Sequence, residues 1–417
     1  MLKTFLKLAA AGVVLVYGQA YAFHSGGVAE CGGCHQMHDA ASSSFLLIRA
    51  DASSVCLSCH EHAGDTGPSS YHISTAATDL TPTAPPKQRT PGGDFAWLKR
   101  SYSDTGIGYN EPGDRHGHNI VAASSGYTAD ATNVTAPGGG AVLGSNLGCT
   151  SCHDQHSSIR RFDAAGTSWG RTGLPIAGSG SYDNSAPPLA GKTAVGTYRI
   201  LRGGGVTGVS NDASVSGATF SSIFMAVAPS TYNRKEDVSE TRVAYGLNTG
   251  AWCGTCHPNM HSGAGNYHPV DQAINGFSAN YNAYVSSGIM TGTGATFTSL
   301  VPFNENTTDF TTLASHAKNG TVMAGPTAND QVSCMSCHRG HASGFSDMVR
   351  WQIENEFLTK ADSLGNGFYC ATDSPVSSGR CALGRTTVEV QAAYYDRPVS
   401  KLGIWQRSLC NKCHAKD

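Results

Sequence analysis

Hydropathy in this chain is concentrated at its start. Met1 to Lys7 carries two lysines, Leu8 to Val16 is an unbroken apolar run, and Gly18-Gln19-Ala20-Tyr21-Ala22 closes it. That layout predicts a secretory signal peptide over residues 1–22 with an A-x-A cleavage site, so the mature chain starts at Phe23. The run is too short for a permanent span, and no later window approaches the roughly 18 apolar residues that a membrane helix needs. The remainder alternates short apolar clusters with polar, Gly/Ser/Thr/Asn-rich stretches such as Thr128 to Ser145, Gly203 to Ser222 and Ser286 to Thr298. The expected fold is mostly irregular coil with short helices and minimal strand. Candidate helices are those carrying the cysteine motifs described below, Met348 to Ala361 and Thr387 to Tyr395.

Composition sharpens this picture. The 50 Gly and 17 Pro among 417 residues favour turns over long elements. Charged residues make up 14%, well below the usual quarter, and the net charge is -2. Such a chain offers no electrostatic footprint for nucleic acid and too little charge for solvated disorder. The residues that need a chemical explanation are 14 Cys and 17 His.

Twelve cysteines form six C-x-x-C-H units: Cys31/Cys34/His35, Cys56/Cys59/His60, Cys149/Cys152/His153, Cys253/Cys256/His257, Cys334/Cys337/His338 and Cys410/Cys413/His414. This spacing is the c-type haem attachment signal. Two thiols add across the porphyrin vinyl groups, and the following residue places an imidazole under the iron. Zinc or redox use of C-x-x-C pairs does not ask for a His after the second Cys, yet all six units have one. The chain is therefore expected to carry six covalent haem c groups.

The surplus histidines are clustered as well. His38, His156 and His341 follow the motif His by three, His261 by four and His62 by two, so five of six motifs are followed closely by a second His. At helical spacing such a residue shares a face with its own proximal His and cannot reach around the macrocycle. It would instead ligate a neighbouring haem, or stand as a surface imidazole, the blander option and the stronger one for His62. His24, His72, His116, His118, His268 and His316 sit alone in loops, and only one of His116 and His118 is expected to ligate. Eight Met without regular spacing make Met ligation the weaker alternative. The candidate distal ligands are His24, His38, His72, His118, His156, His268, His316 and His341. Irons held by two imidazoles have low potentials and no open position, which points to electron transfer rather than catalysis.

Cys370 and Cys381 remain, and in an oxidising compartment a local disulfide is expected. The motif starts at 31, 56, 149, 253, 334 and 410 follow no fixed period, so no solenoid is expected. Residues 23–417 are read as one hexahaem unit in which the macrocycles stand in for much of the core.

Beyond the motifs, several blocks resemble one family. They are FHSGGVAEC from Phe23 running through His38, HAGDTGPSSYHIST from His62, TPGGDF from Thr90, GHNIVA from Gly117, AVAPSTYNR from Ala226, TRVAYG from Thr241, HRGHASGF from His338 and CNKCHAKD from Cys410. In order and over nearly the whole mature chain, these are similar to the OmcS family, the outer-surface hexahaem c-type cytochromes of metal-reducing bacteria. The chain departs from that pattern in its Gly-rich inserts, at His116, and around Cys370 and Cys381. The resemblance implies a cytochrome that polymerises head to tail into a conductive filament, a nanowire with a continuous stack of bis-His haems. It implies that His38 leaves its own subunit and ligates the fifth haem of the neighbour. It also implies a secreted protein, at the outer surface or in extracellular filaments after periplasmic haem attachment. The expected partners are copies of itself, other multihaem cytochromes, and extracellular metal oxides or electrodes. The motifs alone equally allow a monomeric electron shuttle. A reductase of nitrite or hydroxylamine would usually leave one iron open, often with Lys replacing the motif His, and all six motifs here end in His.

Overall fold

The computed structural model describes residues 31–414 apart from 43–44, 68–70, 206–211, 216–217, 231–234, 237–239, 263–268, 285–295, 321–322 and 377–380. The signal peptide, His24 and His268 lie outside the described residues.

Regular elements are short throughout. Ala52–His60, at nine residues, is the longest helix described, and the strands run to two, three or four residues. Asp51 caps Ala52–His60 by accepting from the Ser54 amide at 2.7 Å, which satisfies one of the free N–H groups of its first turn. A capping box between Thr386 and Glu389 starts the helix Thr387–Ala393, close to the one expected from Thr387 to Tyr395. The largest sheet has four strands in the order Trp169–Arg171, Ile159–Arg161, Ala194–Gly196, Ile176–Gly178. It follows the third motif and delivers the chain to Arg199.

Met348 to Ala361 does not form the expected helix. Asp347 and Met348 adopt left-handed conformations (φ 56° and 58°), the chain then runs extended, and Thr359–Ala361 pairs antiparallel with Gly367–Tyr369. The cause is tertiary: the Arg350 amide donates to the Cys337 carbonyl at 2.7 Å, which ties this segment to the fifth motif. Its apolar residues Trp351 and Leu358 serve the core without helical spacing.

Apolar packing is divided among four clusters. The largest gathers Tyr281, Phe297, Phe303, Phe345 and Trp351 with Trp97 from the amino-terminal part, so the carboxy-terminal half packs on an aromatic core shared with that segment. Smaller clusters centre on Tyr198 and Phe224, on Val227 and Phe310, and on Leu57 and Phe95.

Scarce charge is spent inside. The Glu236 carboxylate receives Arg339 at 3.0 Å and Arg350 at 3.1 Å, with Arg397 at 3.9 Å, and all four side chains are buried. Guanidinium edges without a carboxylate lie over rings: Arg339 is 3.7 Å from the Tyr395 ring centre and Arg161 is 3.8 Å from that of Phe310. Glu111 binds Arg385 with both oxygens at 2.7 Å and His116 at 2.7 Å. Lys412, inside the sixth motif, donates to the carbonyls of Tyr281, Tyr284 and Thr296, and Asn280 donates to that of His414, which docks the last motif on the helix Phe277–Ala283.

Cys370 and Cys381 form the expected disulfide, with Cα atoms 5.6 Å apart. Closing a loop of this separation is worth about 2–3 kcal/mol in the chain-entropy model. Replacing both by Ser is expected to lower denaturant stability by that amount while the protein still binds six haems, read from the chemical midpoint and the pyridine haemochrome. A second expectation concerns acid. Burial opposes ionisation of Glu111, but His116 and Arg385 outweigh it and hold the carboxyl at about 2. A depressed carboxylate contributes stability that is present above its unfolded pKa and is lost as pH falls toward the folded one. Between pH 4.5 and 2 the protein should lose on the order of 3 kcal/mol through this group. Subtracting the pH profile of Glu111→Gln from that of the parent isolates the contribution, and parallel profiles would refute it.

Candidate functional site

The six motifs share a local design. Cys31–Cys34, Cys149–Cys152 and Arg407–Cys410 are single helical turns, the second and fourth motifs lie on or beside the helices Ala52–His60 and Thr249–Gly254, and the fifth starts on a 3-10 turn. None of the twelve motif cysteines is paired in a disulfide. Helix ends at or near the motif, and His153, for example, is already extended (φ -108°, ψ 139°). The second His at spacing three therefore lies on extended or bent chain and not on a helix face, contrary to the helical expectation.

Motifs one, three and five are held by the same clasp, which the sequence did not reveal. His35 Nδ1 donates to the Phe45 carbonyl, His153 Nδ1 to that of Arg199 and His338 Nδ1 to that of Asp347, each at 2.8 Å. The amide after each His donates to the next carbonyl (Leu46, Ile200, Met348), and the amides of Ile48, Arg202 and Arg350 return to Cys34, Cys152 and Cys337. Leu46, Ile200 and Met348 occupy corresponding positions with φ of 53°, 51° and 58°. Left-handed backbone costs a side-chain-bearing residue about 1–2 kcal/mol, and three hydrogen bonds per clasp offset it.

A carbonyl oxygen only accepts, so each of these Nδ1 atoms carries hydrogen and Nε2 keeps its lone pair, the state that binds a metal. His60 and His257 follow the same rule, through the carbonyls of Tyr71 at 3.2 Å and Pro137 at 2.8 Å. His118 donates through Nδ1 to the Gly340 carbonyl at 2.9 Å.

The rings then meet in twos. His35 and His156 have ring centres 6.5 Å apart with planes 11° from parallel. His153 and His341 are 6.2 Å apart at 53°, and His118 and His257 are 6.0 Å apart at 37°. These separations leave room for one metal between the two rings, which the imidazoles of each pair would hold from opposite sides. Each joins a motif imidazole to one that sequence reasoning had nominated. Burial first, and then the facing ring, lower His118 to about 4 and His341 to about 3, which keeps both neutral as ligation requires.

The other histidines separate by which nitrogen they use. His116 is fully buried and spends both, on the Trp97 carbonyl and on Glu111, so of the pair it is His118 that is available. His261 spends Nε2 on Asp271 at 3.0 Å. His72 and His316 give Nδ1 to Asp65 and Glu305, the arrangement of a carboxylate-oriented ligand. His62 stacks on His72 at 5.7 Å, but neither belongs to a motif. His38 is exposed beside Met37.

The thiols give the order of the motifs. Cys56 lies against Cys149, and Cys253 against Cys334. Cys34 faces Cys56 and Cys59, Cys152 faces Cys256, and Cys337 faces Cys413 and Cys410. Each motif therefore adjoins its successor, in a line from first to sixth. Among the described residues no group of three or more Cys, His, Asp or Glu is arranged to hold a metal ion.

Comparison with known proteins agrees with this chemistry. A family model described as a doubled CXXCH motif matches residues 24–65. The chain is 48% identical to the C-type cytochrome OmcS of Geobacter sulfurreducens over 438 aligned positions, covering 100% of this chain and 99% of that one. Two solved structures are similar, a cryo-EM structure of the OmcS nanowires from Geobacter sulfurreducens (TM-score 0.83) and an Outer Membrane Cytochrome S filament from the same organism (TM-score 0.82). Each is 46% identical and covers 95% of this chain and 100% of its own.

Removing one member of an axial pair should open one iron. His156→Ala is expected to retain six haems and convert one in six to a high-spin ferric form, read by paramagnetic resonance. An all-low-spin spectrum in that variant would remove the pairing of His156 with His35.

Proposed function

The chain belongs to the family of the C-type cytochrome OmcS, and from that premise we propose how its residues serve extracellular electron transfer through a cytochrome filament. Covalent haem c supplies reversible one-electron transfer at six sites. The twelve motif thiols tether the cofactors, His35, His60, His153, His257, His338 and His414 ligate from one side, and His156, His341 and His118 close the first, third and fourth sites from the other. The distal positions of the second and sixth fall to His24, His72, His268 and His316. With two imidazoles on every iron no substrate position is left open, so the role is electron transfer and not enzymatic, and metal oxides would be reduced by outer-sphere transfer.

One regularity carries the filament reading. His156, from the third motif, faces His35 of the first, and His341, from the fifth, faces His153 of the third. Each second His thus reaches back two motifs. Applied to His38 of the first motif, the rule points two motifs before the chain begins. In a head-to-tail polymer that place is taken by His338 of the preceding copy. The apolar side chains beside it, Met37 (81% exposed), Phe45 (71%) and Leu46 (43%), suit contact with a second copy. Such a contact is heterologous and does not close, so it builds a fibre.

Residues 23–417 act as one unit in this reading. Segments distant in sequence interlock: Arg89 pairs with Asp396 at 3.0 Å and the Tyr395 hydroxyl donates to the Thr90 carbonyl at 2.6 Å. The protein is secreted through the signal at 1–22 and works at the outer surface or in extracellular filaments, passing electrons to other multihaem cytochromes, metal oxides or electrodes. Among the described residues no helix is long and apolar enough to cross a membrane.

His38→Ala is expected to keep six haems per chain, abolish filaments in negative stain and leave the fifth iron high-spin. Intact filaments with an unaltered spectrum would sink the cross-copy ligand.

A further inference from the structure

The loop from His338 to Gly344 serves three motifs at once. It begins with the proximal His338, carries His341 against His153, and offers the Gly340 carbonyl to His118 Nδ1, which faces His257. Its backbone is clamped on both sides. The His341 amide donates to Gly92 at 2.6 Å, the His341 carbonyl accepts from His118 at 2.9 Å, and the Ser343 amide donates to His116 at 3.0 Å. The approach leaves no room for side chains: a Cβ on Gly93 (φ +95°) would lie 1.7 Å from the Ala342 carbonyl oxygen, and one on Gly117 would lie 2.3 Å from that of His341.

The far end of the loop is held by a buried ion pair. Arg385 Nε donates to the Gly344 carbonyl at 2.9 Å, while Nη2 binds both oxygens of Glu111. The same Glu111 fixes His116, whose carbonyl receives Ser343. Arg385 is itself set in place by its backbone, whose carbonyl accepts the amide and hydroxyl of Thr372 at 2.8 and 2.9 Å, just past disulfide-bonded Cys370. Side-chain exposure of Arg385 is 1% and of Glu111 0%, so the pair is rigid and dry.

We propose that the Glu111–Arg385 pair is a positioning device for the third and fourth haems, setting the orientation of His341 and His118 through the 338–344 loop. Neither side chain touches an iron ligand directly, and the pair acts through Gly344 and His116. Because the orientation of two axial imidazoles sets the ligand field of a low-spin iron, a shifted loop alters the paramagnetic signal and midpoint potential of these two sites. The first site, formed by His35 and His156, receives no contact from the loop and is the internal control.

The inference rests on the ligand assignment above, so that assignment is tested in the same series. Loss of one low-spin signal each in His341→Ala, His118→Ala and His156→Ala identifies the third, fourth and first sites, and failure there overturns the assignment itself. Arg385→Met, with six haems bound, is then expected to shift the third and fourth signals and midpoints and leave the first in place. Glu111→Gln, milder in volume, should move the same two in the event that Arg385→Met fails to load. Unchanged third and fourth signals, or an equal shift of all three, would overturn the positioning role.

Discussion

An iron held by two imidazoles needs them on opposite faces of a macrocycle, and no short stretch of chain can supply both. Among the described residues three facing imidazole pairs each join two distant segments. His35 meets His156, His153 meets His341, and His118 meets His257. These crossings fix the path of the backbone more firmly than any helix or sheet in it. The regular elements can be short because they only carry the chain from one crossing to the next. A further demand follows from acid–base chemistry, since the ligating nitrogen must be unprotonated. Carbonyl acceptors placed on Nδ1 meet it, and at three motifs the chain accepts left-handed backbone at Leu46, Ile200 and Met348 to put them there.

Few charges and much glycine are consequences of the same plan. Backbone that wraps cofactors at close range needs small residues where chains cross, as at Gly93 and Gly117. Arg161, Arg339, Arg350, Arg385 and Arg397 are among the largest fully buried side chains, so a chain with 14% charged residues places many of them inside. Breaking such a buried pair by removing one partner costs about 3–5 kcal/mol, which makes these sites rigid points in an otherwise irregular backbone. The net charge is only -2 for the full chain, and -4 once Lys3 and Lys7 leave with the signal peptide, so the polypeptides of identical copies repel each other weakly. Near-neutrality, a liability for a soluble monomer, suits end-to-end association.

The chemistry was legible in the sequence and the geometry only in part. C-x-x-C-H marks the haem attachment sites, and the excess of nearby histidines singles out His156 and His341, whose rings face those of His35 and His153. Neither shares a helix face with its motif His, because the backbone leaves the helix at or near the motif, as at extended His153. Met348 to Ala361 was misread for a related reason: its apolar residues answer to the fifth motif and the aromatic core, not to helical periodicity. The threefold clasp stayed hidden since the acceptor lies 10, 46 and 9 residues after the motif His, so no period shows. His116 and His118 could not be told apart by spacing, and are separated only by the Glu111 carboxylate that claims one of them.

The clasps and the back-reaching histidines together describe a chain of three two-motif units, with the odd motif of each unit sending an imidazole to the unit before it. A chain built by that rule is open at both ends. In the proposed filament its first unit offers His38 to the fifth motif of the preceding copy, and its own fifth motif takes the same imidazole from the copy that follows. A monomer must leave His38 in solvent and find a substitute ligand at His338, whereas a second copy supplies both with groups already shaped for the task. Adding that copy creates the same opening again one subunit further on, so the rule that orders sites within the chain has no natural stopping point. In the proposed filament, the boundary between copies is then equivalent to the boundary between units inside each copy.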